Sequence, residues 1–311
     1  MSTRLTSDSA PIGNLLPGVL AAIDERTAAR SEGRLPVIPN AVPTGFTGLD
    51  LVLGGSLRPG TLTVIAGHPG AGMDDLALQM AACAGKSGTF SAFFNFDMDR
   101  SCAAQRLLAL EAGVPTWNLA CGKVSPDQRE TLAEAAAALS RANLFVDDDP
   151  STSHSLDRRM EQLLGMPRPE CGIIFVDDLS HAAAKLATGA PSPRANGDTA
   201  FEMKRLAERF GMPVVLLAGL EDVPLSPSCN PVEWLGCLRA SGPIELRADI
   251  IIFLDRFFSE EEAAVDGRPG LNEARLILAK NRFGGCGSFR IAYDTRTGAF
   301  GNLPADSCPL L

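Results

Sequence analysis

The run Gly67-His68-Pro69-Gly70-Ala71-Gly72-Met73-Asp74 limits the fold of this chain more than any other. It follows the apolar stretch Leu62-Thr63-Val64-Ile65-Ala66 and opens a helical pattern from Leu76 to Ala84. A buried strand, a glycine-rich turn and a helix in that order set backbone N–H groups at a helix N-terminus, where polypeptides bind phosphate. In the complete phosphate-loop pattern, G-x-x-x-x-G-K-S/T, the lysine reaches the β and γ phosphates and the hydroxyl binds magnesium. Here Gly67, Gly70 and Gly72 keep the frame, while Met73 stands at the lysine position and Asp74 at the hydroxyl position. A glycine-rich strand-to-helix turn also occurs with no ligand, so this frame alone leaves descent from a nucleotide loop and a plain structural turn both open.

With 311 residues, 45% of them hydrophobic and 21% charged, the chain can bury the core of one large α/β domain plus a short extension. The apolar stretch Leu15 to Ile23 is broken by Pro17-Gly18 and runs into Asp24 and Glu25. It is too short to cross a bilayer, so no membrane association and a cytoplasmic location are expected. Eight cysteines fall singly with no C-x-x-C pair, and the three histidines show no ligand spacing. The expectation is no metal cluster, and reduced thiols mostly in core positions. A net charge of −9 argues against a generally basic nucleic-acid-coating surface, yet leaves room for cations confined to a channel.

Residues 1–12 are polar and expected to be disordered. From Asn14 to Arg30, apolar Leu16, Val19, Leu20 and Ile23 alternate with charged Asp24, Glu25, Arg26 and Arg30, which predicts one amphipathic helix before a loose linker. A single helix cannot bury its own stripe, so it folds back on its domain or docks on a neighbour. Further along, Ser91–Phe96, Leu144–Asp147, Cys171–Val176, Met212–Leu217, Ile250–Leu254 and Arg275–Ala279 read as strands, with a helix from Ser101 to Gly113. Continuous apolar runs of this kind suit a parallel sheet buried on both faces. Asp177 and Asp178 close one such strand at the carboxyl edge, where α/β sheets bind ligands and where Asp177 can hold magnesium. Residues 186–198, rich in Pro, Gly, Ala and Ser, are expected to form a mobile loop before a helix from Thr199 to Phe210.

Three stretches carry a resemblance. Pro43-Thr44-Gly45-Phe46 with Leu49-Asp50, then Leu53-Gly54-Gly55 and Leu57-Arg58-Pro59-Gly60, leads into the phosphate-loop strand. Leu238-Arg239-Ala240-Ser241-Gly242, continued by Ile244-Glu245 and Ala248-Asp249, is similar to an L-R-E-S-G-x-I-E-x-x-A-D pattern. Lys280-Asn281-Arg282-Phe283-Gly284 is similar to a K-x-R-x-G element. Together, from about Val42 to about Phe300, these resemble the C-terminal RecA-type motor domain of DnaB-family replicative helicases.

The resemblance implies an α/β RecA-like phosphate-loop NTPase fold, a mainly parallel twisted sheet flanked by helices and preceded by a short linker helix. The domains would be 1–40 (disordered start, linker helix and linker), 41–303 (RecA-like domain) and 304–311 (tail), without the family's separate N-terminal domain. It also implies roles for single residues. Asp97 stands where the family has the glutamate that polarises the attacking water, one methylene shorter; the other reading is a strand-end Asp capping the next helix. Gly219 stands where a glutamine senses the γ phosphate. Arg239 and the Ala240 to Gly242 backbone would meet phosphates of single-stranded DNA, with Ala240 in place of a glutamate; the other reading is a structural turn between core strands. Lys280 and Arg282 would reach the γ phosphate held by the adjacent protomer, against the reading of ordinary hairpin cations.

Met73, Asp74 and Gly219 all depart from the phosphate-contacting pattern, so binding of ATP and Mg is expected to be weak. The leading expectation is a DnaB-like domain with a degenerate nucleotide site, a replication- or recombination-associated binding or ring-assembly module with weak or no ATP hydrolysis. It would partner single-stranded DNA and a homo- or hetero-oligomeric ring of helicase-type subunits. Lys280 and Arg282 are expected to have no evident use inside their own subunit if the phosphate loop beside them is empty. The alternatives are an active ATP-dependent helicase, with Asp74 and Asp177 together holding magnesium, and a single-stranded-DNA-binding recombination mediator.

Overall fold

The computed structural model describes residues 11–34, 36–149, 156–165, 169–180, 182, 193–220, 231–240, 242–256 and 271–303. The chain divides into two units between Pro39 and Asn40. The first holds helix α1 (Ile12–Ser31), which runs through Pro17 and leaves Ile12, Leu15, Leu16, Val19, Leu20 and Ile23 between 46% and 70% exposed. No helix among the described residues is long and apolar enough to cross a membrane. Residues 1–10 and 304–311 lie outside the described residues.

The second unit is built on nine strands: β1 (Leu62–Gly67), β2 (Phe90–Asn95), β3 (Leu144–Asp147), β4 (Gly172–Asp177), β5 (Val214–Gly219), β6 (Ile250–Arg256), β7 (Leu271–Asn281), β8 (Gly287–Asp294) and β9 (Ala299–Gly301). Their order is β3-β2-β4-β5-β1-β6-β7-β8-β9. The first six in that order are parallel, and β7 to β9 continue antiparallel. β1, β2 and β4 are buried along their whole length, because helices cover both faces. Alternation splits their side chains between two cores. Leu62, Val64, Phe90, Phe94 and Ile174 pack on one face with Met203 and Leu206 of α8 (Pro193–Phe210) and Trp234 and Leu238 of α9 (Pro231–Ala240). Ile65, Phe93 and Phe175 pack on the other with Leu76 and Met80 of α3 (Met73–Lys86) and Leu107 of α4 (Arg100–Ala112). The opening motif is structural: buried Asp50 accepts a hydrogen bond from Thr44 N at 2.9 Å, which clasps the turn ahead of β1.

Two expectations are corrected. Residues 193–198 belong to α8 instead of a loop, and 186–192 lie outside the described residues. Pro193 suits a first helical turn, and Gly197 fits against Pro243, whose ring atoms would lie 2.7 Å from any Cβ there. Among the described residues no cysteine forms a disulfide, and few are core: Cys102, Cys121 and Cys286 are exposed, and Cys83, Cys171 and Cys237 half-buried, Cys237 against the core. Cys102, Cys121, Cys171 and Cys286 sit in first turns, caps and strand approaches, while branched aliphatics and phenylalanines fill the interior.

Candidate nucleotide site and DNA-facing edge

Gly67 ends β1 between Gly219 of β5 and Leu254 of β6. A Cβ on Gly67 would lie 2.8 Å from the Leu254 carbonyl and 3.2 Å from Met73 Sδ, so the Met73 side chain folds back over the loop. Gly70 and Gly72 adopt φ of 82° and 93°, the left-handed region that glycine enters without cost. Gly72 caps α3 with no side chain, leaving the first helical N–H groups to face the loop. The phosphate-loop backbone is therefore intact, and its lysine position is filled by a thioether.

Charge at the loop has been rebuilt. Arg106 of α4 hydrogen-bonds the Asp74 carboxylate, and its Nε lies 3.2 Å from Asp75 Oδ1. Two carboxylates at the positive end of the α3 dipole thus share one guanidinium. Arg256 lies over the Tyr293 ring at 4.5 Å and also hydrogen-bonds its hydroxyl. Asp177 ends β4 beside Asn95, is 6% exposed, and has Oδ2 buried without a hydrogen-bond partner. Burial, followed by the charges of Asp74, Asp178 and Asp97, pushes its carboxyl up to about 8. Burial likewise pushes Asp75 up to about 6, against the pull of Arg106. Asp97 is exposed after β2. The cap of α4 is Asp99, whose Oδ1 accepts from Cys102 N at 2.9 Å, so the capping alternative for Asp97 is corrected.

Arg106 is committed to Asp74 and Asp75, Gly219 offers no side-chain donor, and the charges of Asp74, Asp178 and Asp97 bear on Asp177. Among the described residues, no group of three His, Cys, Asp or Glu is arranged to hold a metal ion.

The other sequence-singled residues gather at the opposite end of β1. α9 ends at Arg239 and Ala240, and after Gly242 a 3-10 turn (Pro243–Leu246) leads into β6. The segment is thus a helix end and a tight turn, in place of a simple turn between strands; Ser241 lies outside the described residues. Arg239 Nε donates to Glu245 Oε1 at 3.0 Å. Lys280 Nζ donates to the Glu245 carbonyl at 2.6 Å, and burial and Arg282 pull its amine below the ordinary lysine value. Arg282 lies 2.7 Å from Asp249 Oδ1, while Lys204 Nζ at 2.8 Å and Leu62 N at 2.9 Å bond Asp249 Oδ2. Within their own subunit, Lys280 and Arg282 are both held by the stretch linking α9 to β6. Asp249 meets Leu62 at the start of β1, whereas Gly67 ends that strand. Five residues of strand, roughly 16 Å, therefore separate this edge from the chain's own phosphate loop.

A mainly parallel sheet with an acid at the carboxyl edge of β4, beside a strand–loop–helix phosphate frame, defines a RecA-like phosphate-loop domain. More particularly, the chain belongs to the DnaB-like helicase C-terminal domain family, whose model matches residues 41–302. Replicative DNA helicase DnaB of Leifsonia xyli subsp. xyli (strain CTCB07) is 31% identical over 299 residues, covering 93% of this chain and 61% of that protein. The Geobacillus stearothermophilus replicative DNA helicase DnaB is 30% identical over 275 residues, covering 84% and 56%. The chain thus spans between 56% and 61% of the length of these relatives. A solved DnaB-like replicative helicase, described with its interactions with primase, shares the fold with a TM-score of 0.73 at 21% identity, covering 96% of this chain and 68% of that one.

Sequence reasoning missed Arg106, Glu245 and Asp249 as members of these sites. Nothing along the chain separates Arg106 from exposed Arg100 six residues earlier; only the packing of α4 beside α3 turns it onto Asp74. Glu245 and Asp249 were within reach, since both fall on the fixed letters of the pattern that drew attention to Arg239.

Proposed function

We propose that this DnaB-like domain has a degenerate nucleotide site and serves as a DNA-binding or ring-assembly module with weak or no ATP hydrolysis. The observation that supports it best is the Asp74 carboxylate at the start of α3, held there by Arg106. An anion of the chain's own occupies the end of the helix that a phosphate would use, and Arg106 is paired with it. Met73 over Gly67 and the acidic surroundings of Asp177 act in the same direction. The Arg239 edge is the DNA-facing surface of this reading, and Lys280 and Arg282, roughly 16 Å from their own loop, act on a neighbouring subunit. A titration with ATP, with and without magnesium, tests the reading: no saturation below millimolar nucleotide and no turnover with single-stranded DNA are expected. Micromolar binding with steady turnover that Asp177→Asn abolishes would overturn it in favour of an active helicase.

A further inference from the structure

Glu245 joins two features that the family pattern keeps apart. Its carboxylate is the partner of Arg239, the cation of the DNA-facing edge, and its carbonyl holds Lys280, one of the two cations read as acting on a neighbour. Arg239 is 60% exposed and Glu245 only 17%, so the acid is the fixed member of the pair and the guanidinium the one able to leave. Glu245 Oε2 is buried with no hydrogen-bond partner, a costly state for a carboxylate oxygen whose sibling is bonded. Four residues on, Asp249 holds Arg282 and Lys204 in the same manner. Arg239 and Arg282, the exposed cations of this edge, are therefore retained by two acids of the short stretch between α9 and β6.

We propose that Glu245 is a positioning residue that couples strand binding to Lys280: it competes with DNA phosphate for Arg239, and once Arg239 moves to a phosphate its freed carboxylate holds Lys280 to its own subunit. The proposal rests on reading Arg239 as DNA-facing, and adds to it a carboxylate that both weakens that contact and reports it. Charge is conserved in the exchange, since the phosphate replaces the carboxylate on Arg239 and the carboxylate gains the ammonium of Lys280. The unpartnered Oε2 supplies the acceptor that the exchanged state needs.

Fluorescence anisotropy with a labelled oligothymidine, together with the acetylation rate of Lys280 by an N-hydroxysuccinimide ester read by peptide mass spectrometry, tests this on the whole chain. Glu245→Gln is expected to tighten oligothymidine binding roughly two- to five-fold and to steepen the slope of log affinity against log salt by about 0.7. Oligothymidine is expected to slow Lys280 acetylation at least about two-fold in the unaltered protein, because the freed carboxylate favours the charged amine, and to leave it unchanged in Glu245→Gln. If the tightening persists in an Arg239→Ala background, the effect is one of general charge and the proposal fails. Should the unaltered protein not bind oligothymidine at all, the DNA-facing reading falls, and Arg239→Ala then tests the coupling alone. It must slow Lys280 acetylation when Glu245 is present and not when it is Gln; equal rates in both backgrounds overturn the coupling.

Discussion

Asp74→Asn isolates the charge that sets the nucleotide site. The substitution keeps the shape of the side chain and removes one anion from the first turn of α3, while Arg106 retains Asp75 at 3.2 Å. Asp74 and Arg106 are each about 30% exposed, so the pair lies near the surface and screening is substantial. A unit charge at contact distance under these conditions amounts to about 1–4 kcal/mol, equivalent to a roughly five- to several-hundred-fold gain in affinity for a triphosphate. Loss of the ion pair costs about 0.2–1 kcal/mol, offset by relief of repulsion with Asp75, so thermal stability should change little. Binding of a fluorescent ATP analogue with magnesium measures the gain. Asp148→Asn, which removes the same charge beside Arg100 past the end of the outermost strand β3, is the control expected to change nothing. Equal affinities for Asp74→Asn and the unaltered protein would refute the claim that this carboxylate stands in the phosphate's place.

Further outcomes follow from the same geometry. Met73→Lys with Asp74→Thr should restore nucleotide binding further than Asp74→Asn alone and catalysis much less, because Asp97 and Gly219 are unchanged and binding and transition-state stabilisation are separate demands; family-like turnover in the double variant would show Asp97 to be a competent base. Asp177 holds its proton up to about pH 8 when folded and loses it at ordinary carboxylate values when unfolded. The folded state therefore binds more protons across that window, and stability falls as pH rises through it, by up to about 1.4 kcal/mol per unit. Melting temperatures at pH 6 and pH 7.5 should show this decline and Asp177→Asn should reduce it, whereas parallel declines would assign the effect elsewhere. Mixed with a replicative DNA helicase DnaB, the chain should co-elute and alter the partner's ATPase in a way that Arg282→Ala removes; no association at micromolar concentration would leave Arg282 as no more than the partner of Asp249.

Local sequence determined the parts whose physics is local. Unbroken apolar runs place β1, β2 and β4 inside a two-faced parallel sheet because such strands can be buried only between two layers of helices. Gly70 and Gly72 mark left-handed backbone because other residues adopt it at a cost. Met73 and Asp74 announce a changed phosphate loop because that loop's chemistry sits in consecutive residues. What only the tertiary structure decided is which charges meet. The partner of Asp74 is 32 residues away on another helix, Asp249 draws Leu62 from 187 residues away, and Gly197 of α8 lies against Pro243. Coulomb energies and pKa values depend on distance and burial in space, and periodicity along a chain fixes neither. Lys280 and Arg282 could thus be named from their motif, while the acids that hold them, and the distance that keeps them from their own phosphate loop, emerged only once β1, β6 and β7 lay side by side.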